Sequence, residues 1–171
     1  LGRTGRLWAR WKFDARADMM VVGKGLSGGL YPVSALMCRA DIYDSCMNGH
    51  DFAYISSLGG NEIACQVAET VLDVASRPAT VQAVAVLSAH LGARLRQVAQ
   101  DHPGLLGAVM AFGAVFTVAV SDRARARALY AALFRHGVLA HSICETDPPA
   151  LKFFPPLLMT AAEADLVAAA L

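Results

Sequence analysis

The chain has 171 residues, 56% of them hydrophobic and 17% charged, which is enough apolar material for a packed core and too little polarity for a disordered tract. Fifteen Lys and Arg against fourteen Asp and Glu leave a net charge of +1, and the basic residues form no stripe of the kind a nucleic acid needs, so no nucleic-acid partner is expected.

Taken in order, the chain opens on Leu1-Gly2-Arg3-Thr4-Gly5, mid-loop text that reads as part of a longer polypeptide. Met19 to Val22 reads as a short buried strand, and residues 33–38 as a second strand leaving a glycine-rich loop through Tyr31-Pro32. Residues 61–76 carry Ile63, Val67, Val71 and Val74 at helical spacing behind Gly59-Gly60, with Asn61 as N-cap. A second helix is predicted from Thr80 to about Gln100. Residues 115–120 alternate like a strand, 123–136 read as a helix closed by Gly137, 151–154 as a strand before Pro155-Pro156, and 161–171 as a final helix. The pattern predicts α/β for the front and α+β for the back, divided near Arg77-Pro78 into units 1–78 and 79–171.

Apolar runs such as 79–87 are broken by polar residues well short of the roughly 20 needed to cross a bilayer, so no membrane partner is expected. Cys38, Cys46, Cys65 and Cys144 form no CxxC pair, lack histidines at zinc spacing and follow no secretory leader, which predicts free thiols, no metal site and a cytoplasmic protein. His50, His90, His102, His136 and His141 are scattered. Arg123, Arg125 and Arg127 fall on a solvated helix face.

The stretch from Gly23 to Gly28 has the spacing of a dinucleotide-binding loop, but such a loop needs a helix to open at its third glycine and receive a pyrophosphate. Here Gly29-Leu30-Tyr31-Pro32-Val33 continues as loop and strand, so that reading fails. Lys24 is the alternative focus. Between Gly23 and Gly25, at the carboxyl end of a strand, no side chain blocks a planar ligand from its amine. Such a lysine can form a Schiff base when its amine is neutral; on spacing alone a solvated loop residue is the commoner reading.

Five segments in order, Gly2-Arg3-Thr4-Gly5, Ala17-Asp18-Met19-Met20, the stretch from Gly23 through Ala35, Ser56-Ser57-Leu58-Gly59-Gly60-Asn61-Glu62, and Lys152-Phe153-Phe154-Pro155-Pro156-Leu157, resemble the class III aminotransferases, the ornithine aminotransferase-like branch of fold type I pyridoxal-phosphate enzymes. The resemblance runs the length of the chain. It implies an α/β fold in which residues 1–78 are the later part of a large cofactor domain with a mixed sheet and residues 79–171 a small α+β domain. It also implies that Lys24 is the catalytic lysine and bears the cofactor as a Schiff base, and that Ser57 donates its hydroxyl to the cofactor phosphate of the neighbouring protomer in a homodimer. Lys152 stands where ornithine-specific members place an arginine for a substrate carboxylate; an ammonium binds a carboxylate without the bidentate fork.

Two departures are visible. Met110-Ala111-Phe112-Gly113 replaces an Arg-Gly pair, and Ala17-Asp18 replaces Pro-Asp. In the family the aspartate on the pyridine nitrogen, the phosphate loop and the stacking aromatic precede Gly2, so the chain alone is expected to have little or no activity. The reaction implied is amino transfer from an amine or amino acid to a 2-oxo acid. A racemase or aminomutase of the same fold, or a non-catalytic fragment that pairs with another chain, are the alternatives.

Overall fold

In this computed structural model, residues 1–50, 56–143 and 146–171 are described; Cys144, expected to be a free thiol, lies outside them. Strands β1 (Met19–Val22) and β2 (Ala35–Cys38) pair antiparallel, with Met19 opposite Cys38 and Val22 opposite Ala35. The chain reverses between them through a 3-10 turn over Lys24–Ser27, ended by Gly28 at φ 61°. The expected second strand is shorter at its start, because residues 33 and 34 belong to the loop.

Helix α1 (Ala40–Met47) has no buried residue. It is fixed at its start by Arg39, which bonds Asp18 at 2.7 Å and Asp41 at 2.6 Å. The Arg39 guanidinium bonded to Asp41 holds that carboxyl below the usual carboxylate range. Where Ala17-Asp18 stands for the family's Pro-Asp, the entry to β1 is thus tied by an ion pair from directly across the hairpin.

Helix α2 (Glu62–Ser76) starts where its sequence predicts, since the Asn61 side chain accepts from the Ala64 N–H at 2.9 Å. Helix α3 (Pro78–Asp101) begins two residues before Thr80. Proline suits the first helical position because its missing N–H is unpaired there anyway. Thr80 is buried, and its hydroxyl donates 2.7 Å to the Val74 carbonyl, capping the end of α2.

The remainder builds one sheet from β3 (Leu106–Ala111), β4 (Phe116–Val120), β5 (His141–Ile143) and β6 (Ala150–Phe153), in the order β3-β4-β6-β5 and antiparallel throughout. Helix α4 (Arg123–Arg135) precedes β5, and α5 (Ala161–Ala170) ends the chain. Phe116, Val118 and Val120 of β4, with Leu151 and Phe153 of β6, point to one face and meet Leu91 and Leu95 of α3 and Leu133 of α4 in the core. Burying each such side chain contributes about 1.5–3 kcal/mol.

Residues 1–5 form a strap onto this sheet. The Ala114 N–H donates 2.7 Å to the Arg3 carbonyl. In return, Arg3 Nη1 donates to the carbonyls of Pro155 at 2.8 Å and Ala114 at 3.3 Å, while its guanidinium lies 5.7 Å from the Phe154 ring centre. Burial lowers the Arg3 pKa from its ordinary value, yet a guanidinium stays charged. Nearby, Phe112 stacks on Phe13 at 5.3 Å, so the aromatic in the departing Met110-Ala111-Phe112-Gly113 segment packs a loop.

Candidate active site

Strand β1 delivers Lys24 one residue past Gly23, and Lys24 adopts φ 50°, a left-handed conformation rare for a residue with a side chain. Strain of this kind, roughly 1–2 kcal/mol, persists where the surroundings over-determine the backbone, and such places concentrate at functional sites. The surroundings here are the 3-10 turn itself, with Leu26 N–H bonding the Gly23 carbonyl and Gly28 N–H the Gly25 carbonyl, both at 3.2 Å. Leu26 and Ser27 are buried while Lys24 is exposed.

The turn rests on α2, where a methyl added at Gly28 would lie 3.3 Å from Val71 Cγ2. Leu1 packs on the other side, 3.5 Å from a methyl added at Gly25. At Gly29 such a methyl would meet nothing within 4 Å, so the loop leaving the turn is open there, and the Lys24 side chain is itself exposed.

Ser57 stands in an exposed turn just before Asn61 and the start of α2. That turn is held by Gly59 N–H to the Ser56 carbonyl at 3.2 Å and by the Asn61 amide to the Leu58 carbonyl at 2.8 Å. A helix N-terminus favours an anion. The Lys24 turn adjoins α2 at Val71, nine residues further on, which separates the two levels of the helix by about 14 Å. One helix therefore supports both residues without bringing them together.

Lys152 lies on the other sheet, half-buried in β6, directly opposite Thr117 of β4 and His141 of β5. It is joined to the Lys24 turn through the strap, whose Leu1 touches Gly25 and whose Arg3 holds the Pro155 end of β6. Two open concavities, one lined by Arg96, Gln100, Pro103 and Leu106 and the other by His102, Gly104 and Arg125, include none of Lys24, Ser57 or Lys152.

Among the described residues no cluster of His, Cys, Asp or Glu is arranged to hold a metal, and no helix is long and apolar enough to cross a membrane. Cys38, Cys46 and Cys65 are free thiols. Arg3, Thr117 and His141 were not singled out by sequence reasoning. The alternation over 115–120 does turn Thr117 away from the core, but a strand as short as β5 leaves no pattern to give His141 a face.

The donor set fits a cofactor that carries an aldehyde and a phosphate: an exposed primary amine and, apart from it, a hydroxyl in the turn that leads into a helix N-terminus. A strand-end lysine in a glycine turn, backed by a helix and tied to a helix-covered antiparallel sheet, is part of a mixed α/β fold. The chain belongs to the class-III aminotransferase family, whose model matches residues 1–171.

It is 30% identical to an uncharacterized aminotransferase of Archaeoglobus fulgidus over 98% of this chain and 39% of that protein. It is 32% identical to a probable mitochondrial ornithine aminotransferase of Caenorhabditis elegans, over 92% of this chain and 35% of that one. The structure superposes with a TM-score of 0.84, at 28% identity, on an ornithine aminotransferase from Toxoplasma gondii whose active site is partly occupied by pyridoxal phosphate. That match covers 99% of this chain and 39% of the other. The chain thus spans about two fifths of its relatives' length and carries part of the aminotransferase fold, as expected from its sequence.

Proposed function

We propose that the polypeptide carrying this chain is a pyridoxal-phosphate-dependent aminotransferase that moves an amino group from an amine or amino acid to a 2-oxo acid. The observation that carries the reading is the Lys24 turn: an exposed amine at a strand end, in a strained backbone, with glycines on both sides. Lys24 would hold the cofactor at its aldehyde carbon and Ser57 would hold a phosphate. When bound, pyridoxal phosphate supplies a ring that draws electrons from the substrate carbon losing its proton. Lys24 Nζ would also serve as the group that takes that proton and returns it, which is general acid-base work. Lys152 binds the substrate carboxylate through a single-point charge contact.

The spacing of Lys24 and Ser57 along α2 supports a homodimer in which Ser57 serves the partner's cofactor. The free thiols agree with a cytoplasmic location. A division near residue 78 into a large and a small domain agrees with a core cluster that begins at Val84. Because the implied ring-nitrogen and ring-stacking partners are absent from these residues, the chain alone is expected to turn over poorly.

The test is borohydride reduction of the full-length protein incubated with pyridoxal phosphate, followed by peptide mapping. Covalent label on Lys24, absent in Lys24→Ala, is the expected result, and Lys24→Ala should lose at least 10³-fold in kcat. Label on any other lysine, or full activity in Lys24→Ala, defeats the reading.

A further inference from the structure

Strand register puts three hydrogen-bond donors side by side on the second sheet. Thr117 of β4 is the direct partner of Lys152 in β6, and Lys152 is the direct partner of His141 in β5. Direct antiparallel partners project to the same face. The core residues Val118 and Leu151 occupy the opposite parity, so the Thr117, Lys152 and His141 side chains all stand on the face turned away from α3 and α4. On that face the next pair along the strands is Ala119 and Ala150, both short, and the row continues beyond Thr117 to Met110 of β3, an apolar, exposed side chain that supplies no competing charge.

Within the described residues none of the three side chains has a hydrogen-bond or ion-pair partner. An ammonium, a hydroxyl and an imidazole thus stand in one line with their donor capacity unspent, and no carboxylate of the described chain neutralises Lys152.

We propose that Thr117 and His141 complete, with Lys152, a carboxylate-binding subsite and thereby set the preference for substrates that carry a carboxylate. This rests on the role given to Lys152 above. A carboxylate offers about four acceptor sites on two oxygens, whereas an ammonium contributes a point charge without a fork. Flanking donors about 4.8 Å away on either strand supply what a guanidinium would otherwise provide. His141 reaches further from the sheet than the short threonine and is the stronger of the two. Both act on binding and neither on the proton transfer.

The experiment uses the full-length protein loaded with pyridoxal phosphate and two acceptors of similar size, pyruvate and propanal, of which only the first has a carboxylate. His141→Ala should raise the KM for pyruvate about tenfold, near the lower end for losing a hydrogen bond to a charged group, and Thr117→Val about threefold, as for an ordinary hydrogen bond. The kcat for pyruvate and both constants for propanal should stay unchanged. Equal effects on the two acceptors, or none on pyruvate, overturn the proposal.

A second readout keeps this separate from the aminotransferase reading. Pyruvate titrated into the protein should shift the His141 ring resonances in an NMR spectrum, and Lys152→Met should abolish the shift. If Lys24 fails to trap the cofactor while this shift persists, the subsite stands and the reaction does not. A His141 ring that ignores pyruvate overturns the subsite whatever the fate of Lys24.

Discussion

Gly113 shows what a single residue must satisfy for the strap to seat. It has φ 58°, and a methyl there would overlap the Arg3 carbonyl oxygen and come 2.8 Å from Thr4 Cα. Both obstacles are backbone and cannot move aside as a side chain can. Gly113→Ala should therefore lose about 3 kcal/mol, whereas Gly29→Ala, at φ 84° in open space, should lose only about 1 kcal/mol for its backbone conformation. Chemical denaturation of the two variants in the full-length protein measures the difference. Equal losses would mean that the strap is not packed as described.

At the scale of elements, the last helix is held by a reciprocal cap. Thr160 N–H donates to Glu163 Oε2 at 2.7 Å, and Glu163 N–H donates to Thr160 Oγ1 at 3.3 Å. The Thr160 backbone bond, then its hydroxyl, holds the Glu163 carboxyl below its ordinary value of 4.5. A carboxyl that ionises more easily when folded stabilises the fold fully above the unfolded value and loses that contribution as pH falls through the folded one. On acidification, the Thr160 amide resonance should thus shift at a pH below 4.5, and Glu163→Gln should remove the transition. Thr160→Ala should cost about 1 kcal/mol at neutral pH.

Such caps are among the features most readable in sequence. Asn61 before α2 was legible because a cap, a first-turn acid and a periodic apolar face coincide. Strand β3 was not, because Gly107 lies close to Ala119 and the pairing slips between Leu106 and Val109, which breaks alternation. Helix α1 escaped because nothing in it is buried; an ion pair from across the hairpin orders it. Lys24 was legible from its flanking glycines together with the order of the five segments. The neighbours of Lys152 were not, since cross-strand register is a property of the sheet and not of any one strand.

For the molecule as a whole, apolar surface is unevenly covered. The core cluster lies in residues 84–164, while Val21, Leu30 and Leu58 are 78%, 82% and 79% exposed. A two-stranded sheet such as β1 with β2 is marginal alone, and exposed apolar residues around it mark a surface built to be covered. We expect the rest of the full-length polypeptide to cover it. The isolated 171-residue chain should bind a hydrophobic dye strongly and exchange the β1 and β2 amides rapidly while β4 and β6 stay protected. A dye-silent chain with slow exchange in β1 would overturn that expectation.

The strap also bears on the order in which this chain folds. Arg3 meets Ala114 across 111 positions of sequence, and closing a loop of that length costs roughly 4 kcal/mol in chain entropy. The sheet that receives it is built mostly from short-range hairpins and helices, so it can assemble before that cost is met, and the strap then clicks onto a finished platform. The Lys24 turn, wedged between Leu1 and α2, acquires its final setting only at this late step. Time-resolved hydrogen exchange during refolding should find the Ala114 amide protected after those of β4.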